Sequence, residues 1–172
     1  MNASELRALQ TPLKEKYRSA PGAALITLRA RGSTDSTAIT CKVETGRALA
    51  VAGLHPATGG SGGELCSGDM LLEALVACAG VTLKAVSTAL EIPLEKADVI
   101  AEGDLDFRGT LGVDKEAKVG FQAIRLRFEV SSRAPREKLD QLFKLTERYC
   151  VVLQTLKGSA ALSATLNNTP PG

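Results

Sequence analysis

Tryptophan is missing from this sequence, histidine occurs once, and the aromatic complement is four phenylalanines and two tyrosines. Each scarcity excludes something. The lone His55 rules out a paired-imidazole metal site, and it is the only imidazole open to an acid–base triad. So few rings argue against the stacking platforms that hold single-stranded nucleic acid. A surplus of one charge is lacking too. The 21 Lys and Arg stand against 19 Asp and Glu, well mixed, which leaves +2 and no footprint of a polyanion binder. Neither a metal nor a nucleic-acid partner is expected. Long hydrophobic runs are also scarce: the most apolar stretch, around Met70 to Leu90, is interrupted by Asp69, Glu73 and Lys84. Its longest uncharged run, Ala74 to Leu83, is too short to cross a bilayer. The first 22 residues are charged every few positions and have no apolar run, so they do not read as a signal peptide. A cytoplasmic protein with no membrane partner is expected.

What the chain does have is thiols. Cys41, Cys66, Cys78 and Cys150 are too widely spaced for a disulfide framework, and no C-x-x-C pair suggests zinc or a thioredoxin-type site. In a cytoplasmic setting they stay reduced, so each is either a small buried hydrophobe or a reactive group.

The organisation reads as one α+β domain over 1–172, with a helical extension at 1–22 and a tail at 167–172. Folding at this length buries roughly 70% of the unfolded surface. Residues 4 to 18 have helical spacing at Leu6, Leu9, Leu13 and Tyr17, with Ser4 as a cap and Pro12 marking a kink or a second start. Short strands are expected at Ala24–Ala30, Thr37–Val43 and Arg47–Ala52, followed by the glycine-rich loop HPATGGSGGELCSG. A helix apolar on nearly all faces runs from Ser67 or Gly68 to about Glu91, ended by Ile92-Pro93, and should be buried in the middle of an assembly. Strands follow at Asp98–Arg108 and Gly120–Ser132, the second alternating Ile124, Leu126 and Phe128 with Arg125, Arg127 and Glu129. Another helix begins near Pro135 with an apolar face of Leu139, Leu142, Phe143, Thr146, Tyr149 and Cys150. A last strand is expected at Ala161–Leu166. Strands in runs, each run followed by a helix, give a mainly antiparallel sheet.

Cys78 and Cys150 therefore sit on the two major helices. Cys78 lies about ten residues into its helix, beyond the reach of that helix's own dipole. A reactive Cys78 thus needs a cation from elsewhere. Lys84 points about 120° away around the helix, which leaves Arg29, Arg31 or Arg47. Cys41 reads as buried and inert, and Cys66 as a loop thiol, either a chance surface residue or a substitute resolver. His55 reads as a loop residue or as pocket lining, and Glu73 and Lys84 as a solvent-facing or interface stripe.

The glycine-rich loop leading into GDMLLEALVACAGVTL, the following Ile-Pro-Leu, and the later ERYCVVLQTL resemble the OsmC/Ohr family, the osmotically inducible and organic-hydroperoxide-resistance proteins. The resemblance covers about residues 24 to 166. It implies an OsmC-like fold of two strand-group-plus-helix halves with long central helices, assembled as an intertwined homodimer. It further implies a thiol-dependent peroxidase without metal or organic cofactor. Cys78 would attack an organic hydroperoxide, Cys150 would resolve the sulfenic acid as a disulfide, and Arg31, preferred over Arg29 and Arg47, would hold the thiolate. An external dithiol, lipoyl groups among the candidates, would reduce the disulfide. Asp69 and the apolar Leu71, Leu75 and Leu142 would line the substrate site. The chain departs from the family twice: Gly68 stands where a Glu is common, and Val151 where a Pro usually follows the second Cys. The alternative reading is a non-peroxidatic relative that binds a small apolar or electrophilic molecule at the dimer interface. A third is a structural domain with inert thiols.

Overall fold

In a computed structural model the chain is described over residues 2–19, 31–34, 40–44, 49–112, 114–158 and 160–167. Helix α1 spans Ala3–Ser19 and runs through Pro12 without dividing. Its cap is Asn2 rather than Ser4: Asn2 Oδ1 accepts from the Glu5 N–H at 2.9 Å and Glu5 Oε2 accepts from the Asn2 N–H at 3.0 Å. The two side chains satisfy each other's orphan amides reciprocally.

Strands β1 (Arg31–Thr34), β2 (Thr40–Glu44) and β3 (Leu49–Gly53) pair antiparallel in sequence order. The short β4 (Leu65–Cys66) then joins β3 in parallel, so this sheet is mixed rather than purely antiparallel. The strand expected at Ala24–Ala30 lies outside the described residues. Strands β5 (Lys96–Leu105) and β6 (Phe121–Ser131) form a second, two-stranded antiparallel sheet. β5 stops earlier than its sequence suggests. Asp106 accepts from the Arg108 N–H at 3.0 Å and starts the one-turn helix α3 (Phe107–Thr110) in place of further strand.

The alternation along β5 and β6 settles what faces in. Val99 and Ala101 from one strand and Ile124, Leu126 and Phe128 from the other pack on the helices. Asp98, Glu102 and Asp104 face out beside Arg125, Arg127 and Glu129, where Arg125 bonds Asp104 and lies 3.6 Å from Glu102. Such exposed pairs add little to stability.

The organising element is α2, Ser67–Ala89, packed against β5 and against the later helices α4 (Arg136–Tyr149) and α5 (Val151–Lys157). It ends in a tight reversal: Ile92 N–H donates to Ser87 O at 2.8 Å and Glu91 N–H to Thr88 O at 3.2 Å. Glu91 takes the left-handed conformation, φ 55°, that glycine usually supplies. Ile92 then turns back onto Leu83 and Val86, anchoring the reversal in the core. By length and hydropathy α2 alone among the described helices could cross a bilayer. Here it is the central helix, yet only one stripe of it is buried, at Leu75, Ala79, Leu83 and Ser87. The sequence expectation of burial all round is not met within one chain: Val81 is 73% exposed, and Leu71, Ala74 and Ala77 are exposed beside it.

Two apolar clusters lie along that stripe. Leu75 and Ala79 pack on Cys150, while Leu83 packs on Ile92 and Leu142. Pro135 is the cap of α4, one position earlier than the first-turn place its type favours. Tyr149, counted with the apolar face, is turned to solvent with the Arg148 guanidinium over its ring. No strand forms at Ala161–Leu166; Leu162 and Leu166 are 94% and 93% exposed. The alternation of that segment fits a strand, but no neighbour strand comes to it among the described residues.

Candidate active site

Cys78 sits on α2 beside the buried stripe, and Cys150 is the single residue between α4 and α5. Cys150 takes an extended conformation, φ −71° and ψ 105°, and so caps both helices. Its N–H closes the last turn of α4 on Thr146 O at 3.0 Å, and its carbonyl accepts from the Gln154 N–H at 2.9 Å. The break leaves the first amides of α5 without partners inside their own helix. The amides of Val151 and Val152 are among the groups that favour ionisation of Cys78.

That arrangement sets the two thiols apart. Burial opposes ionisation of Cys78, but the Val152 amide, the Cys150 thiol, the Val151 amide and the Thr82 hydroxyl outweigh it, and its pKa falls below the ordinary thiol value. Thr82 lies one turn on, and its hydroxyl proton goes to the Cys78 carbonyl at 2.7 Å. Burial pushes the Cys150 thiol up, and the bond it donates to Cys78, with the charge there, pushes the same way against the Leu153 and Val152 amides. Cys78 is thus the more acidic and Cys150 the less acidic of two thiols packed against each other. Cys150 is fully buried and Cys78 partly exposed. A thiolate is the nucleophile, so Cys78 is the sulfur equipped to attack.

The donors that lower Cys78 are neutral. Arg29 and Arg47 lie outside the described residues. Arg31 opens β1 opposite Glu44, its side chain outside the description. The amides of Val151 and Val152 leave no trace in side-chain chemistry, because every residue but proline carries the same N–H. They, with Thr82, are what sequence reasoning missed.

The four residues expected to line the substrate site do not converge. Leu75 is fully buried against Cys150, and Leu142 is 2% exposed in the other cluster. Leu71 edges an apolar groove of about 580 Å³ lined by Phe121, Ile124, Leu126, Phe128, Phe143, Leu153 and Leu156. Ile124, Leu126, Phe128 and Leu153 also pack around the thiol pair, so the groove and the thiols share a wall. Asp69 faces a separate cavity of about 360 Å³ at the start of α2, with His55, Cys66 and Phe107.

His55 is held there as a turn residue. Its Nδ1 accepts from the Ala57 N–H at 3.0 Å and its ring stacks on Phe107 at 4.8 Å. Cys66 is roughly 18 Å along α2 from Cys78 at 1.5 Å per residue, too far to resolve it. Cys41 pairs with Ala52 in β2, its side chain outside the description. At Gly68, where a carboxylate was a possibility, the Phe121 ring lies 3.5 Å from the place of a Cβ. The same ring rests on Gly103, where a Cβ would come within 2.3 Å of it. An aromatic wall thus occupies the beginning of α2. Among the described residues no group of three His, Cys, Asp or Glu side chains could hold a metal ion.

Comparison with known proteins places this geometry. The fold is similar to that of an OsmC-like protein from Mycoplasma pneumoniae, at 16% identity and a TM-score of 0.63, covering 77% of this chain and 89% of that one. An organic hydroperoxide resistance protein OsmC from Legionella pneumophila matches at 17% identity and 0.60, over 78% and 92% of the two chains. An organic hydroperoxide resistance protein from Elizabethkingia anophelis matches at 15% identity and 0.62, over 78% and 91%. At such identities the likeness is one of fold. No curated protein sequence matches significantly. The OsmC-like protein family itself matches residues 60–165, the stretch that carries both thiols, and the chain belongs to that family.

Proposed function

We propose that the protein reduces organic hydroperoxides through Cys78 and Cys150 in oxidative stress defence. The observation that carries this reading is the packing of Cys78 against the buried Cys150, with Cys78 made more acidic and Cys150 less so. Cys78 thiolate attacks the terminal oxygen of ROOH. An S–O bond forms, the O–O bond breaks, and the alkoxide leaves as ROH after taking a proton. Cys150 then attacks the Cys78 sulfenic acid, forming the disulfide and releasing water. A cytoplasmic external dithiol, such as a lipoyl group, returns both thiols and is itself oxidised to a disulfide. The exposed apolar stripe of α2, with Leu71, Ala74, Ala77 and Val81, is the surface on which a second copy would sit in an intertwined homodimer.

The test is a thiol count. One equivalent of cumene hydroperoxide should remove both Cys78 and Cys150 from the titratable thiols. In Cys150→Ser it should leave a sulfenic acid that dimedone traps at Cys78. An unchanged thiol count would exclude the peroxidase. A second reading, binding of a small apolar or electrophilic molecule without turnover, is favoured by the groove of about 580 Å³. It requires the thiols to stay reduced while a fluorescent apolar probe binds.

A further inference from the structure

Once Cys78 and Cys150 are joined, a reductant has two sulfurs to attack, and the choice decides which thiol leaves. The two are not equally placed. Cys150 is 0% exposed, closed in by Leu75 and Ala79 of α2 and by Val99, Leu126 and Leu153. Cys78 packs against the same cluster from α2 but is partly exposed. Its neighbours Ala74 and Ala77, one turn and one residue back, are exposed and small, so they leave the approach to its sulfur open. A thiolate displaces a sulfur along the line of the bond it breaks. Attack on Cys150 would therefore have to come through the packed side chains on its far side, whereas attack on Cys78 comes from the open side of α2.

We propose that the reductant enters at Cys78 and that Cys150 is the leaving thiol. This rests on the peroxidase reading for the source of the disulfide. One thiolate of a dithiol attacks the Cys78 sulfur. A bond forms between them, the Cys78–Cys150 bond breaks, and Cys150 departs as a thiolate that takes up a proton. The second thiolate of the same reductant then attacks the reductant sulfur held on Cys78. That closes the reductant's own disulfide and releases Cys78 as thiolate, so two electrons have passed to the protein. The second thiol has to be on the same molecule, because Cys150 lies beside the mixed disulfide and otherwise takes Cys78 back. The leaving-group preference runs the other way, since Cys78 is the more acidic thiol and the readier to be expelled. That preference is graded, while a sulfur with no exposed surface is closed to in-line attack, so access decides. A second copy seated on the exposed stripe of α2 narrows the approach to Cys78 and opens none to Cys150.

The test starts from wild-type protein oxidised with diamide, which makes the disulfide without any peroxide. Cysteamine, a small monothiol, is added, the mixture is quenched early in acid, and the adducts are mapped by mass spectrometry. The adduct stays scarce because Cys150 attacks it, so the ratio between the two sites is what is read. Cysteamine on Cys78 should exceed cysteamine on Cys150 by at least about tenfold, as access rather than acidity dictates. Leu153→Ala trims the wall that the thiols share with the apolar groove and should raise the share on Cys150 severalfold. Equal adducts, or an excess on Cys150, overturn the proposal, and so does a ratio that Leu153→Ala leaves unmoved. Failure of diamide to join Cys78 to Cys150 overturns it together with the peroxidase reading. A diamide disulfide that opens at Cys78, in a protein whose thiols ignore cumene hydroperoxide, supports the entry site and ends the peroxidase reading alone.

Discussion

Cys78→Ser is expected to abolish hydroperoxide reduction, by at least roughly a thousandfold in kcat/KM, the scale on which loss of a nucleophile is felt. The replacement is nearly isosteric, so the packing around Leu75, Ala79 and Cys150 should survive. What disappears is an ionisable sulfur. A serine hydroxyl stays protonated at neutral pH, and the donors now gathered at Cys78 would have no anion to hold. The measurement is cumene hydroperoxide consumption with dithiothreitol as reductant, followed alongside thermal melting to show that the variant is folded. Cys66→Ser serves as the control and should retain the wild-type rate, since Cys66 lies at the far end of α2. Activity within tenfold of wild type in Cys78→Ser would move the chemistry elsewhere, and a loss confined to Cys66→Ser would move it to the cavity beside His55 and Asp69.

Val151→Pro should fold normally and yet raise the pKa of Cys78. The substitution suits the backbone. Cys150, before it, is already extended, as a residue preceding proline must be, and position 151 is the first of α5, where the ring is well tolerated. The loss is one N–H among the groups that favour the Cys78 anion. A hydrogen bond to a charged group contributes about 1.5–3 kcal/mol, so the thiolate fraction below the midpoint should fall roughly tenfold or more. The sign follows from which form the amide holds. It stabilises the anion, its removal favours the thiol, and the midpoint rises. Because a more basic thiolate is intrinsically more nucleophilic, about half of the loss on a logarithmic scale returns as reactivity. Alkylation should therefore be slower than wild type at neutral pH and faster at high pH. Two profiles that cross are the signature. Profiles that coincide would leave Val152 and Cys150 as the donors that matter.

Several of these elements were legible from residue types and some could not be. The start of α2 at Ser67 and its end before Ile92-Pro93 follow from the sequence, and β6 follows from arginines alternating with Ile124, Leu126 and Phe128. The pairing of Cys78 with Cys150 was legible only through family resemblance, because spacing along the chain says nothing about which helices meet. The break at Cys150 was not legible at all. It falls at an extended Cys150 with neither proline nor glycine on either side. The arginines expected to serve Cys78 have side chains outside the described residues, and backbone amides escape such reasoning for a related reason: propensity and charge patterns describe side chains. The strand expected at Ala161–Leu166 shows the limit of side-chain patterns from the other side. Leu162, Ala164 and Leu166 satisfy a period of two, but a strand also needs a neighbour to receive its hydrogen bonds.

The position of Cys150 at the joint has a thermodynamic side as well. A bond from it to Cys78 would close a loop containing both long strands and all of α4, joining distant parts of the chain by two sulfur atoms. Cross-linking a loop of that length restricts the unfolded ensemble enough to favour the folded state by about 4 kcal/mol in the chain-entropy description. Each catalytic cycle would then also be a cycle of rigidity, in which the oxidised protein withstands heat and the reduced one yields sooner. Melting the two redox forms side by side should show the oxidised form unfolding at the higher temperature, and equal melting points would mean that the joint is strained by the cross-link as much as the unfolded chain is confined by it.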